Sequence, residues 1–197
     1  MTALAISNVV LWVLVLVLAG VVLALTRQLG VLHERIAPAG ALMLNRGLQV
    51  GEPAPVMELE DLEGRLHQLG GPRSDGRSTL LLFVSPSCPV CKTLLSAVKS
   101  SANDERAWMD VILASDGDRA EQTEFVRTQG LDGIPYVVSA ALGLAYQVSR
   151  LPFAALLDER GVLRARGLVN SREHLESLFE AKRLGVASLQ QYFSSTA

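Results

Sequence analysis

Apolar positions follow three different rhythms along this chain, and each predicts a different kind of element. Residues Thr2 to Thr26 carry no charge, and Val9 to Leu25 is an almost unbroken run of Val, Leu and Ala. Roughly 20 such residues span the hydrocarbon core of a bilayer, so one N-terminal transmembrane helix is predicted over residues 1–26. A cleaved signal peptide would need a basic start, and no Lys or Arg precedes the run. Residues 27–50 place Leu29, Leu32 and Ile36 at helical intervals before Pro38 and Gly40 interrupt them, the pattern of a stalk or linker. Gly51-Glu52-Pro53-Ala54-Pro55 is extended by composition, because each proline biases its predecessor away from helix, and a domain boundary is placed there.

From residue 51 the rhythm changes. Val56 to Glu60 and Arg65 to Leu69 alternate with period two around the turn residues Asp61 to Gly64, which predicts a hairpin. After the Gly/Pro/Ser/Asp-rich loop 70–78, Thr79 to Val84 is a continuous apolar run of strand length, as in a central strand covered on both faces. Leu94, Leu95 and Val98 then recur at helical spacing between Cys91 and Ala102. A second buried strand is expected over Asp110 to Ala114, a helix over Asp118 to Gln129 ending at Gly130, and a short strand over Tyr136 to Ser139. Strands Phe153 to Leu157 and Val162 to Leu168 flank the turn Asp158-Glu159-Arg160-Gly161, and Ser171 to Arg183 forms a last helix. Strand and helix alternate first and a strand pair follows, so the class is α/β with a central mixed sheet flanked by helices, over 51–185. Residues 186–197 read as a flexible tail.

Composition narrows the function. The 18 basic and 20 acidic side chains give a net charge of −2, without the basic field that nucleic acid requires. The chain holds two cysteines, Cys88 and Cys91, in Ser87-Cys88-Pro89-Val90-Cys91, between the apolar strand and the amphipathic helix. At a helix start, Cys88 meets unpaired backbone N–H groups and the positive helix end, which stabilise a thiolate, while Cys91 sits one turn on and resolves. Pro89 fits the first helical turn, where a missing N–H costs nothing. The alternatives are half a zinc site or two buried structural cysteines. Zinc requires four ligands, and the only histidines, His33, His67 and His174, are scattered singly, so neither metal nor cofactor is expected.

With the cysteine motif, the Gly-Glu-Pro-Ala-Pro opening and the strand–turn–strand after Pro152, the stretch from Gly51 to Arg183 resembles the thioredoxin superfamily, most closely its membrane-tethered redoxin branch. The resemblance implies a thioredoxin-like fold and a cis-proline opposite the cysteines. Pro135 and Pro152 compete for that place, and Phe153-Ala154-Ala155-Leu156-Leu157-Asp158 after Pro152 matches better. It further implies that the backbone of Leu151 pairs with a bound substrate strand, so Leu151, Pro152, Pro89 and Val90 form the expected docking surface. Two features depart from the pattern. Thr79 to Ser85 lacks the buried acid that often serves the second cysteine, and a peroxidatic signature would need proline where Leu81 stands.

The segment Arg27-Gln28-Leu29-Gly30-Val31-Leu32-His33-Glu34-Arg35, Ser85-Pro86-Ser87-Cys88-Pro89-Val90-Cys91 and Gly133-Ile134-Pro135-Tyr136 resemble, more narrowly, the methylamine utilisation family MauD. That resemblance implies a thiol–disulfide oxidoreductase or isomerase that helps mature the small subunit of methylamine dehydrogenase, a disulfide-rich periplasmic protein. Its expected partners are membrane lipid at the N-terminal helix, that protein substrate and a membrane redox partner. It also implies a periplasmic domain, whereas Arg27, Arg35 and Arg46 after the apolar run point to the cytoplasm. A thiol reductant for cytochrome c maturation and a non-catalytic tethered chaperone are the alternative functions.

Overall fold

The computed structural model describes residues 6–8, 10–22 and 48–184. The chain falls into two units, residues 1–45 and 46–197. In the first, residues 6–8 and 10–22 are helical and expose Leu11, Trp12, Leu14 and Leu16. Among the described residues no helix is long and apolar enough to cross a membrane. The rest of the expected anchor, the stalk over 27–47 and the tail over 186–197 lie outside the described residues.

The second unit is built on a five-stranded mixed sheet. Its strands are β3 (Ser78–Phe83), β4 (Met109–Ser115), β5 (Tyr136–Val138), β6 (Phe153–Leu157) and β7 (Leu163–Leu168), in the order β5-β4-β3-β6-β7. β3, β4 and β5 run parallel, whereas β6 is antiparallel to β3 and to β7. β3 is central and buried along its whole length, which its continuous apolar run anticipates. A separate antiparallel hairpin, β1 (Met57–Glu60) with β2 (Leu66–Leu69), precedes it and bridges to the sheet through Asp61 and Val137.

Alternate side chains of β3 feed two cores. Leu80, Leu82 and Val84 pack with Leu94, Leu95 and Val98 of α1 (Pro89–Asp104), Phe125 of α2 (Arg119–Gln129) and Leu175 and Phe179 of α4 (Arg172–Leu184). Leu81 and Phe83 face the hairpin together with Leu142 of α3 (Ala140–Ala145) and Tyr146. Each fully buried Leu contributes about 1.5–3 kcal/mol relative to exposure, so β3 anchors both layers.

Helix limits follow local chemistry. Asp118 caps α2 by accepting from the N–H groups of Ala120 (2.9 Å) and Glu121 (3.1 Å), and Gly130 ends it in the left-handed conformation. α3 has no counterpart in the sequence reading, which extends β5 to Ser139. Ser139 is instead the cap of α3, its Oγ accepting from Leu142 N–H at 3.1 Å. Six residues with an internal glycine are too short to display a helical period.

Candidate active site

The motif grows out of the C-terminal end of β3. After Val84, a turn closed by the Cys88 N–H donating to Ser85 O (3.1 Å) leads into α1, and the Ser85 and Ser87 hydroxyls lie 2.9 Å apart across it. Cys88 is the N-cap of α1, with extended backbone, and Pro89 occupies the first turn. α1 therefore starts at Pro89, two residues before the first helical residue read from the periodicity. The Cys88 Sγ accepts the Cys91 backbone N–H at 3.1 Å, one of the orphan donors of the helix start.

Cys88 and Cys91 form a disulfide, with Cα atoms 5.3 Å apart. The two sulfurs differ in access: Cys91 is fully buried in the core beneath α1, whereas Cys88 is half-buried and flanked by exposed Pro89 and Val90. An incoming thiolate therefore reaches Cys88 first.

Sheet register brings the second part of the site to the same place. Phe83 pairs with Phe153, so Pro152 arrives beside the strand end from which the cysteine motif departs. The Leu151–Pro152 bond is cis, and Pro135 is not. The buried Pro152 carbonyl accepts the Val169 N–H at 3.0 Å, fixing the segment to the end of β7. Leu151 is partly exposed, and among the described residues its backbone N–H and C=O have no hydrogen-bond partner within the chain. Cys88, Cys91, Pro89, Val90, Leu151 and Pro152 thus converge on one end of the sheet.

Buried carboxylates lie elsewhere. Asp158 follows Leu157, which pairs with Thr79 at the opposite end of β3, and it is tied to Arg164 and to the N–H groups of Arg160 and Val162. Asp61, at the hairpin turn, accepts from Arg65 Nε (2.9 Å), the N–H groups of Glu63 and Arg65, and pairs with His67 Nε2 (2.8 Å). Burial alone would raise the Asp61 carboxyl, but these hydrogen bonds outweigh it and hold it well below the usual carboxylate range. Each acid is committed to structural donors.

His67 is thereby a hairpin partner of Asp61, and His174 lies on α4. His33 lies outside the described residues. Among the described residues no group of three or more His, Cys, Asp or Glu side chains is placed to hold a metal ion. The Ser85–Ser87 turn escaped the sequence reading, and nothing but its position between strand and motif signals it.

A half-buried cysteine at a helix start, a buried partner one turn on and a backbone segment with unpaired polar groups beside them define a thioredoxin-like redox domain. A redoxin family model matches residues 49–182. The chain is 50% identical to the methylamine utilization protein MauD of Methylobacillus flagellatus over 94% of its length and 90% of that protein's. It is 47% identical to MauD of Paracoccus denitrificans, over 96% of this chain and 94% of the relative. The chain therefore belongs to the redoxin family, within the group of methylamine utilization proteins named MauD. Among solved structures it is similar to a putative thiol:disulfide interchange protein DsbE from Chlorobium tepidum (TM-score 0.61, 19% identity, 69% of this chain and 99% of that one). It is also similar to the exposed lipoprotein thioredoxin Etrx1 of Streptococcus pneumoniae (TM-score 0.56, 20% identity, 64% of this chain and 99% of that one). At such identities these two likenesses establish the fold alone.

Proposed function

We propose that this protein is a thiol–disulfide oxidoreductase that forms or reshuffles disulfides in the small subunit of methylamine dehydrogenase during its maturation. The observation that carries the reading is the Cys88–Cys91 disulfide at the start of α1, with Cys88 accessible and Cys91 buried, beside the unpaired backbone of Leu151. The client is supported by near-full-length identity to proteins named for methylamine utilization.

In the oxidising direction a client thiolate attacks the Cys88 sulfur. The Cys88–Cys91 bond breaks and its electron pair leaves on Cys91, which takes up a proton to become a thiol. A second client thiolate then attacks the client sulfur of the mixed disulfide and displaces Cys88. The client gains one disulfide, the protein becomes a dithiol, and a membrane redox partner must reoxidise it. Run in reverse, the Cys88 thiolate opens a client disulfide and Cys91 resolves the mixed species, so alternating the two directions isomerises. Reduction potential decides which direction dominates. Leu151 pairs with the client backbone as an added strand, while Pro152, Pro89 and Val90 line its path.

The uncharged run from Thr2 to Thr26 serves as a membrane anchor, supported by its length and by the helical residues 10–22. The redox domain lies on the periplasmic side, a reading supported by the client's chemistry. Replacing Cys88 and Cys91 together by Ser in methylamine-grown cells tests the function. Loss of mature dehydrogenase while the variant still accumulates is expected, and normal maturation would refute a redox role. A C-terminal reporter active only in the cytoplasm would overturn the periplasmic placement.

A further inference from the structure

The end of the sheet that carries the cysteines also holds a cavity of about 180 Å³ that thiol exchange does not use. Phe83, Ala114, Gly143 and Val148 give it apolar walls, and Asp116 and Arg150, both exposed and of opposite charge, are also among the residues that line it. It opens beside Leu151, the residue whose unpaired backbone receives the client.

Neither charge is spent inside the protein. Among the described residues, the Arg150 guanidinium and the Asp116 carboxylate make no ion pair and no side-chain hydrogen bond, either with each other or with a third group. Several other arginines of the domain are tied down, among them Arg65 to Asp61, Arg164 to Asp158 and Arg172 to Glu176. Both side chains are exposed, so their pull on an incoming charge is moderate and is screened by salt.

The two charges are not equally placed. Arg150 immediately precedes Leu151 and so shares the docking segment. Asp116 follows β4, two strand positions from β6, which is about 10 Å at ordinary sheet spacing. A client strand laid along Leu151 therefore meets Arg150 before it meets Asp116.

We propose that this cavity is a specificity subsite of the exchange reaction, in which Arg150 receives an acidic side chain within about two residues of the client cysteine that bonds to Cys88. The proposal rests on the function proposed above and adds to it the class of client sequence. Asp116 sets the size and number of negative groups the cavity accepts, because a second acid would face it unshielded.

The test uses the full-length oxidised protein in detergent micelles and three dithiol peptides that differ only in the residue beside the first cysteine: Glu, Gln or Lys. The rate of peptide oxidation is measured at low peptide concentration, so that it reports kcat/KM. For each peptide pair the wild-type ratio is divided by that of the Arg150→Gln variant, which cancels the intrinsic difference in thiol acidity. The Glu peptide is expected to gain over the Lys peptide by about five- to tenfold in this double ratio, a gain that shrinks in about 0.5 M salt. Arg150→Glu should reverse the preference, and Asp116→Asn should strengthen it. A double ratio near one, or a wild-type preference for Lys that Asp116→Asn abolishes, would overturn the proposal. If wild type oxidises all three peptides alike, the subsite falls and the function stands. If it oxidises none, the function falls and the subsite with it.

Discussion

Placing a methyl group on Gly161 should cost the domain far more than placing one on Gly130, although both backbones have positive φ. Gly130 ends α2 at φ +59°, and a Cβ there meets nothing within 4 Å. Gly161 closes the β6–β7 turn at φ +75°, and a Cβ there would lie 2.2 Å from the Gly71 nitrogen and 2.4 Å from its carbonyl oxygen. Its neighbourhood is backbone held by backbone: Ala54 N–H donates to Gly161 O at 2.9 Å, and Gly161 N–H donates to Asp158 O at 2.9 Å. Entry segment, loop and turn therefore have little room to give. The conformational part, Ala in place of Gly at positive φ, is about 1 kcal/mol at each position. Overlap of roughly 1 Å with rigid backbone adds about 1–3 kcal/mol at Gly161, as overpacking of a filled site does. Gly130→Ala should thus lose about 1 kcal/mol and Gly161→Ala about 2–4 kcal/mol, read as shifts of the urea midpoint at unchanged m-value. Equal losses at the two positions would refute the steric argument and the close approach of Gly161 to Gly71 on which it rests.

Other positions give further tests. Because the folded-state carboxyl of Asp61 is held below its ordinary value near 3.8, its stabilisation is fully present above that value and is lost as pH falls through the lower folded-state one. Asp61→Asn should accordingly destabilise by about 2 kcal/mol at pH 7. In denaturation curves at a series of pH values the gap to wild type should narrow below about pH 4, and a gap independent of pH would contradict the assignment. Tyr146 is buried, its hydroxyl pushed above the usual phenol range by desolvation, and among the described residues its Oη has no hydrogen-bond partner. Tyr146→Phe should leave stability unchanged or raise it by up to about 1 kcal/mol, and a loss of that size would reveal an unrecognised partner for the hydroxyl. Asp118→Ala removes two cap hydrogen bonds from α2 and should cost about 1 kcal/mol by the same melts, whereas no loss would show that the cap is dispensable.

The sequence disclosed what depends on local pattern. An uninterrupted apolar run reads as a central strand because β3 is covered on both faces, and α1 reads as a helix because its buried positions recur every three or four residues. The preference for Pro152 over Pro135 followed from the strand and turn after it, and the register of β6 against β3 then sets Pro152 beside the motif. What stayed hidden depends on meetings between distant segments. Asp61 looked like an ordinary turn residue, because its partnership with His67 exists only once the hairpin closes. The placement of Arg150 and Asp116 around one cavity needs the end of β4 and the α3–β6 loop to meet, and no spacing in the chain signals that. α3 was invisible because a six-residue helix with one buried leucine leaves no period.

In the function proposed above, Cys88 exchanges disulfides with the small subunit of methylamine dehydrogenase while Cys91 resolves the intermediate. Replacing Cys91 alone by Ser leaves Cys88 able to form a mixed disulfide that nothing in this chain can release. Full-length Cys91→Ser protein recovered from methylamine-grown cells after acid quenching, separated without reductant and identified by mass spectrometry, reports what is bound to Cys88. The expected adduct contains a peptide of the dehydrogenase small subunit, disappears on reduction and is missing from the Cys88→Ser variant. Trapping of an apocytochrome, or no adduct at all on Cys88, would contradict that function.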